Sequence, residues 1–242
     1  MTSLAGVTHP GTVRSRNEDC FAFSGIVEGP SDGQVLVVRE RSGPTLVIVA
    51  DGLGGHPDGD QASALAADVV IRAHPETGEE LVAVVLEANR RLRATLNDEG
   101  RPTGMATTVA ALLLGEHGIA VVNVGDSAVF ELVGSRLTKL STDDRLEGLG
   151  SIPGLPSFAV TQSVGGWGPR SIDPHLYEDD LRGRRRFLLC TDGVTNYVSQ
   201  RKITSALSRP DLEDSVQALL GLSLRVGGHD NVTCVVVDTD CG

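Results

Sequence analysis

Short apolar, β-branched runs recur at Val35–Val38, Leu46–Ala50, Thr107–Leu114, Ile119–Val124, Ala128–Val133, Phe187–Cys190 and Val232–Val237. Each is bounded by glycine, proline or charge, which predicts strands. Between them, Gln61–His74 and Glu79–Asn97 carry apolar residues at i, i+3 and i+4, with Leu81, Val84, Val85 and Ala88 on one face. That spacing predicts amphipathic helices, as it does for Ser199–Leu207 and Leu212–Leu224.

The predicted order is strands, two helices, a β-meander, then strand, two helices and a last strand. Strands and helices are clustered, not strictly alternating, which favours a layered α+β sandwich over a doubly wound parallel sheet. Ser141–Pro174, rich in Gly, Pro, Ser and Asp, reads as a long surface excursion; loops of that length are usually functional or mobile. No internal repeat or low-complexity linker divides the chain, so one domain over residues 1–242 is expected.

Composition narrows the classes. At 242 residues, with 40% hydrophobic and 22% charged residues, the chain can bury one substantial core. A net charge of -11 argues against nucleic-acid or anionic-membrane partners, both of which reward Lys/Arg clusters. Cys20, Cys190, Cys234 and Cys241 form no CxxC, so neither a zinc site nor a disulfide framework is suggested; Cys190 and Cys234 read as small core residues. The N-terminal stretch lacks a long apolar segment, and no run approaches the ~20 apolar residues of a membrane span, so a cytoplasmic protein is expected.

Four segments share one design, an aspartate at the end of an apolar run beside a glycine or an amide. They are RSRNED (Arg14–Asp19), ADGLGGH (Ala50–His56), CTDGV (Cys190–Val194) and GGHDNVT (Gly227–Thr233), with VGDS (Val124–Ser127) as a possible fifth. One Asp-Gly is more often a turn than a site; recurrence shifts the balance. Were Asp19, Asp51, Asp192 and Asp230 to share a cleft, two carboxylates about 4 Å apart would repel by about 1 kcal/mol in water and about 4 at an effective dielectric near 20. Such a cluster needs cations, and all-oxygen ligation selects Mg²⁺ or Mn²⁺, with the Gly52 carbonyl a further donor. Pro57 stands where a dinucleotide fingerprint needs its third glycine, and neither a GxxxxGK[ST] loop nor a calcium loop is present.

Taken together, GTVRSRNEDCF, VIVADGLGGH, GMATTVAALL, VVNVGDS, LLCTDGVTNYVS and GGHDNVTCVVV resemble, in order, the PP2C (PPM) metal-dependent protein serine/threonine phosphatases in their short bacterial form. The resemblance implies a four-layer αββα fold, a central antiparallel β-sandwich flanked by helices. It implies hydrolysis of phosphoserine and phosphothreonine through a water activated by two, possibly three, Mn²⁺ or Mg²⁺ ions. By motif, Asp51 bridges the metals, the Gly52 carbonyl completes one sphere, and Asp192 and Asp230 hold the other ion. Asp19 and Glu18 act directly or through waters, Asp126 with Asp192 serves a third ion, and Arg14 binds the substrate phosphate. The implied partner is a phosphorylated protein, with a cognate Ser/Thr kinase in the same signalling system, and a monomer is expected.

Three departures bear on the chemistry. Leu53 stands where some relatives place a histidine proposed as general acid, leaving His56 or a metal-bound water for that task. Ala128 replaces the arginine common after Gly-Asp-Ser, and Asp143-Asp144-Arg145 stands where relatives often show Asp-His-Ser. Thr107 and Thr108 read as the start of a strand, and His74, His117 and His175 as surface residues. Two further readings stay open: a catalytically weak PP2C-like binding module in phospho-signalling, and a metal-dependent phosphatase of small molecules.

Overall fold

The computed structural model describes residues 1–23, 26–29, 33–53, 58–115, 118–145 and 159–239. In chain order its elements are β1 (Thr2–His9), β2 (Asp19–Phe23), β3 (Ile26–Glu28), β4 (Leu36–Arg41), β5 (Thr45–Asp51), α1 (Gly59–Ala73), α2 (Gly78–Ala94), β6 (Ala106–Thr107), β7 (Val109–Leu114), β8 (Gly118–Val124) and β9 (Ala128–Val133). There follow β10 (Arg136–Lys139), β11 (Val164–Gly165), β12 (His175–Asp180), β13 (Arg185–Cys190), α3 (Asp192–Thr195), α4 (Gln200–Leu207), α5 (Leu212–Arg225) and β14 (Val232–Thr239).

Two six-stranded antiparallel sheets form the centre, ordered β10-β9-β13-β14-β1-β4 and β12-β8-β7-β5-β2-β3. Three apolar layers hold them. Leu4, Phe21, Val47, Val49, Leu189 and Val235 pack between the sheets. Ile48, Ala111 and Val122, on the opposite faces of their strands, pack against α1 and α2 through Ala66, Val70, Leu81 and Val85. Leu188, Cys234 and Val236 pack against α4 and α5 through Ile203, Leu207, Val216 and Leu219. The central strands are therefore covered on both faces, which is why they read as unbroken apolar runs and not as alternating ones.

The predicted helices and core strands are present, and the αββα layering agrees with the expected fold class. Several elements carried little signal: β1, β2, β10 and β12 were not predicted. The Ser141–Pro174 excursion is only partly a surface feature. Among its described residues Val164 is wholly buried, and β11 pairs β6 with Val164 opposite Thr107. His175, read as a surface residue, is partly buried, and its Nε2 lies 2.8 Å from Asp144 Oδ1. His117 and His56 lie outside the described residues.

Antiparallel pairing decides where the aspartates go. Asp19 opens β2 directly opposite Asp51, which closes β5. Asp192 follows β13 and Asp230 precedes β14, strands paired with Cys190 opposite Cys234. Asp126 follows β8, and Arg14 follows β1. All of these positions fall at one end of the sandwich.

Candidate metal centre

At that end lies a cavity of about 320 Å³ whose lining includes Arg14, Glu18, Asp51, Gly52, Asp126, Asp192 and Asp230, with Leu53, Val160, Tyr197 and Asn231 completing its walls. Asp19 lies beneath it, 1% exposed. Six carboxylates against the guanidiniums of Arg14 and Arg145 leave four formal negative charges in a largely desolvated site.

Asn231 fixes one side. Its Oδ1 accepts the Glu18 amide at 2.8 Å, and its Nδ2 donates to the carbonyls of Pro10 (3.0 Å) and Arg16 (2.8 Å). Thr12 ties the same turn to the glycines before Asp230, its amide donating to Gly228 O at 2.8 Å and its hydroxyl to Gly227 O at 2.6 Å. The turn after β1 is thus stitched to the start of β14, which brings the Arg14 guanidinium 2.8 Å from Asp230 Oδ2.

Gly52 sits where the chain leaves β5. A Cβ there would run into the Gly59 carbonyl and come within 2.7 Å of Glu18 O, so no side chain fits without moving backbone. Thr107 and Thr108 do more than start a strand. The Thr107 hydroxyl donates to Asp51 O at 2.9 Å, and Thr108 Oγ1 accepts the Asp51 amide at 3.1 Å, fixing the backbone that carries the carboxylate.

Buried hydroxyls floor the site. Thr191 Oγ1 donates to Asp19 Oδ2 at 2.8 Å and accepts the Thr233 amide at 3.1 Å, and Thr233 Oγ1 lies 2.7 Å from Thr8 Oγ1. Asp19 Oδ1 is buried with no hydrogen-bond partner among the described residues. A buried carboxylate oxygen in that condition costs free energy unless a proton or a cation meets it.

The electrostatics agree. Burial first, then the neighbouring Asp192 and Asp230, push the Asp19 carboxyl up to about 7 against the hydroxyl bonds that lower it. Burial and the facing Asp19 hold Asp51 well above the ordinary carboxylate range. Asp192 is pushed up to about 6 by burial and by Asp126 and Asp230, countered in part by Arg145. Glu18 is raised by burial and Asp60, and Asp126 by burial against the pull of Arg145. The whole donor set is oxygen, which matches a hard divalent cation. Among the described residues no three carboxylate or imidazole groups close on a single point in this metal-free arrangement.

Arg145 was not singled out by its residue type. Its Nε donates to Asp126 Oδ2 at 2.8 Å, its Nη1 donates to Asn196 Oδ1 at 2.8 Å, and its Nη2 lies 3.8 Å from Asp192 Oδ2. Asn196 Nδ2 in turn donates to Asp192 at 2.7 Å. Asp144 secures this corner, accepting the Gly125 amide at 2.8 Å and Gln162 Nε2 at 3.0 Å. The only sequence signal for Arg145 was its departure from the Asp-His-Ser pattern. Asn231, Asn196 and Thr191 lay inside the motifs, but apart from the Asn196–Asp192 bond four residues apart their contacts to Glu18, Arg145 and Asp19 are long-range and had no local signature.

A protein phosphatase 2C family model matches residues 28–223. The serine/threonine protein phosphatase PstP of Mycobacterium tuberculosis is 33% identical over 214 residues, 81% of this chain, which spans 41% of that protein's length. The serine/threonine phosphatase stp of Listeria monocytogenes is 28% identical over 257 residues, 96% of this chain and 94% of its own. Among solved structures, that of M. tuberculosis PstP/Ppp superposes with a TM-score of 0.80 at 28% identity over 100% of both chains. The PstP catalytic domain in complex with two manganese ions gives 0.76 at 28% identity, over 98% of this chain and 99% of that one. With most of its length matched by the family model and its two-sheet fold shared from end to end, the chain belongs to the protein phosphatase 2C family.

Proposed function

We propose that this chain, as a single domain over residues 1–242, hydrolyses phosphoserine and phosphothreonine in proteins with two Mn²⁺ or Mg²⁺ ions. The observation that carries this reading is the set of facing, buried carboxylates with the partnerless Asp19 Oδ1 beneath them. Asp51, Asp192, Asp230 and the Gly52 carbonyl would hold the ions, with Asp19 and Glu18 acting directly or through water. Divalent ions bound there supply charge neutralisation and a water acidic enough to act as nucleophile at neutral pH.

The chain supplies positioning. Arg14 is half-exposed at the cavity mouth and bonded through Nη2 to Asp230, which leaves the rest of its planar fork for phosphate oxygens. Leu53 and Val160 give the cavity its apolar wall. In the reaction a water oxygen bonds to phosphorus as the bond to the seryl or threonyl oxygen breaks. The side chain leaves as the alcohol after taking a proton, and inorganic phosphate is the second product. Little covalent participation by protein is needed, only alignment and charge.

We propose for Asp126 a part other than the third-ion role the resemblance implies. The Arg145 guanidinium, with 18% of its side chain exposed, bonds Asp126 and lies beside Asp192, so a protein cation stands between the two carboxylates. We propose that Arg145 serves there in place of a third ion. Calorimetric Mn²⁺ titration should give two sites for the native protein and an additional weaker one for Arg145→Ala that Asp126→Asn removes; three sites in the native protein would refute this.

The expected substrate partner is a phosphoprotein, opposed by a kinase of the same system. A cytoplasmic setting is supported by Cys190 and Cys234, which sit directly opposite in paired strands as thiols. Among the described residues no helix is long and apolar enough to cross a membrane. The deciding experiment is hydrolysis of a phosphothreonine peptide by pure protein, with Mn²⁺ and with excess chelator. Turnover with metal and none with chelator is expected; undiminished turnover by metal-stripped protein would overturn the reading.

A further inference from the structure

Trp167 is the chain's only tryptophan, and it is 63% exposed. Its loop is nevertheless held at many points. Arg93 of α2 donates through Nη1 to the carbonyls of Gly165 and Pro169, both at 3.1 Å, and through Nη2 to Gly168 O at 3.0 Å. Asn89, one turn earlier, accepts the Gly165 amide at 2.8 Å and donates to Arg170 O at 3.2 Å. The Gly166 amide bonds Met105 O at 2.8 Å. Beneath the indole lies Gly104, at φ +70°, where a Cβ would collide with the ring. The indole is therefore seated against bare backbone in a loop fixed to a helix, yet most of it faces water.

Tryptophan is enriched where proteins bind partners, and this one is held in place by its loop. Its surroundings state the partner's charge. A cavity of about 480 Å³ opens beside the ring, lined by Arg90, Arg93 and Arg170 together with Pro102 and Gly166, and among the described residues no carboxylate lines it. Arg90 pairs with Glu87 at the cavity's edge, while Arg170 has no carboxylate partner among the described residues. In a protein of net charge -11 this is a basic spot with an aromatic wall.

The patch is also connected to the metal centre. Met105 O holds the Trp167 loop, and two residues on, the Thr107 hydroxyl bonds Asp51 O. At about 3.3 Å per residue of extended chain, the indole's support and the carboxylate cavity are separated by on the order of 10 Å.

We infer that Trp167, Arg170 and Arg90 form a docking surface for an acidic polypeptide segment flanking the substrate's phosphorylated residue. The acidic side chains pair with the arginines, and the segment's backbone and methylenes lie on the indole. The inference rests on the phosphatase reading for its biological setting, but binding to the patch requires no turnover. Because Met105, Ala106 and Thr107 are buried, the separation of patch and cavity runs through the protein, and an extended substrate lying on the surface with its phosphate in the cavity needs at least about three residues to reach the patch.

Because Trp167 is the sole tryptophan, its fluorescence reports the patch directly. The Mn²⁺-loaded protein is titrated with unphosphorylated peptides of equal length carrying acidic, neutral or basic flanks. The acidic peptide should change the emission saturably, more weakly at high salt, and the Arg90→Ala/Arg170→Ala variant should lose the response. In turnover, KM for a phosphothreonine peptide with acidic residues three to five positions away on one side should rise roughly tenfold in that variant and in Trp167→Ala, with kcat and aryl-phosphate hydrolysis unchanged. A purely structural tryptophan would instead lower the melting temperature of Trp167→Ala and move all substrates together, which overturns the proposal. So does an equal response to the neutral peptide, or a concentration-dependent self-association abolished by Trp167→Ala, which assigns the patch to a second copy. If the acidic peptide binds and no phosphate ester is hydrolysed, the phosphatase reading fails while the docking surface stands.

Discussion

Two regions of this molecule are rich in carboxylates, and they behave oppositely. One is the 320 Å³ cavity at the end of the sandwich. The other is a larger hollow of about 1000 Å³ between the start of α2 and strands β8 and β12, lined by Glu76, Glu79, Glu178, Asp179 and Asp180 among others. In the hollow the acidic residues are exposed, so water solvates each charge and no cation is required. In the cavity Asp19, almost wholly buried, and Asp51, partly buried at the cavity wall, face one another across paired strands, and desolvation drives both upward. The count of acidic groups is similar; desolvation is what turns one cluster into a demand for cations. Size is a poor guide to chemistry here, since the roomier hollow holds the solvent-exposed carboxylates.

The sharpest way to break that contrast is to neutralise one acid in each region. Asp51→Asn should lower kcat/KM on a phosphothreonine peptide by about a thousandfold, because an amide is a weaker ligand for a hard ion. Asp179→Asn should leave it within about twofold, in keeping with the small effect of exposed charges. Equal losses in steady-state kinetics would erase the distinction.

Arg14→Ala comes next. Removing the fork at the cavity mouth should cost about ten- to a hundredfold in kcat/KM while calorimetric Mn²⁺ affinity stays close to native, because Arg14 supplies no oxygen ligand and is bonded to Asp230 through Nη2 alone. Loss of Mn²⁺ binding in this variant would instead make Arg14 a structural support of the ligand set.

The pH dependence of stability sharpens the comparison further. Asp19 moves from an ordinary 3.8 up to about 7 and Asp192 up to about 6 on folding, both chiefly by burial. Below 3.8 both states hold the protons and no penalty exists. As pH rises from there the unfolded chain releases protons that the folded one retains, so metal-stripped protein should lose stability steadily up to about pH 7. The loss is on the order of a few kcal/mol, read as a fall of several degrees in Tm. Mn²⁺ should restore it near neutrality, and Asp19→Asn should flatten the slope. A metal-stripped protein whose Tm is as high at pH 7 as at pH 4.5 would contradict the desolvation account.

The smallest effect concerns the scaffold of the cavity. Asn231→Ala strands the Glu18 amide and the Pro10 and Arg16 carbonyls, and should cost about 1–3 kcal/mol in urea unfolding, with a partial loss of activity. Glu178→Gln, in the solvated hollow, should change stability by less than about 0.5 kcal/mol.

How much was legible beforehand follows the range of the forces involved. Periodicity placed the helices of α1, α2, α4 and α5 and the strands buried on both faces, because a run such as Val47–Ala50 must be covered by something on each side. It was silent on β12, whose residues are mostly exposed and which exists because its backbone pairs with β8. The recurring Asp-Gly and Asp-Asn segments named the acids of the cavity, and the resemblance carried their expected roles. Neither reached Arg145, whose partners Asp126 and Asn196 are 19 and 51 residues away.

The sequence by itself determined the layered class and the oxygen-only chemistry of the proposed ligands, since these depend on residue type and local pattern. Only the tertiary structure decided which acids are stripped of water, that Arg145 reaches Asp126 and lies beside Asp192, and that Trp167 stays exposed above Gly104. The physical reason is that burial and long-range pairing are properties of the assembled sheets. A carboxylate's charge is written in the chain, but the cost of keeping it is set by what packs around it.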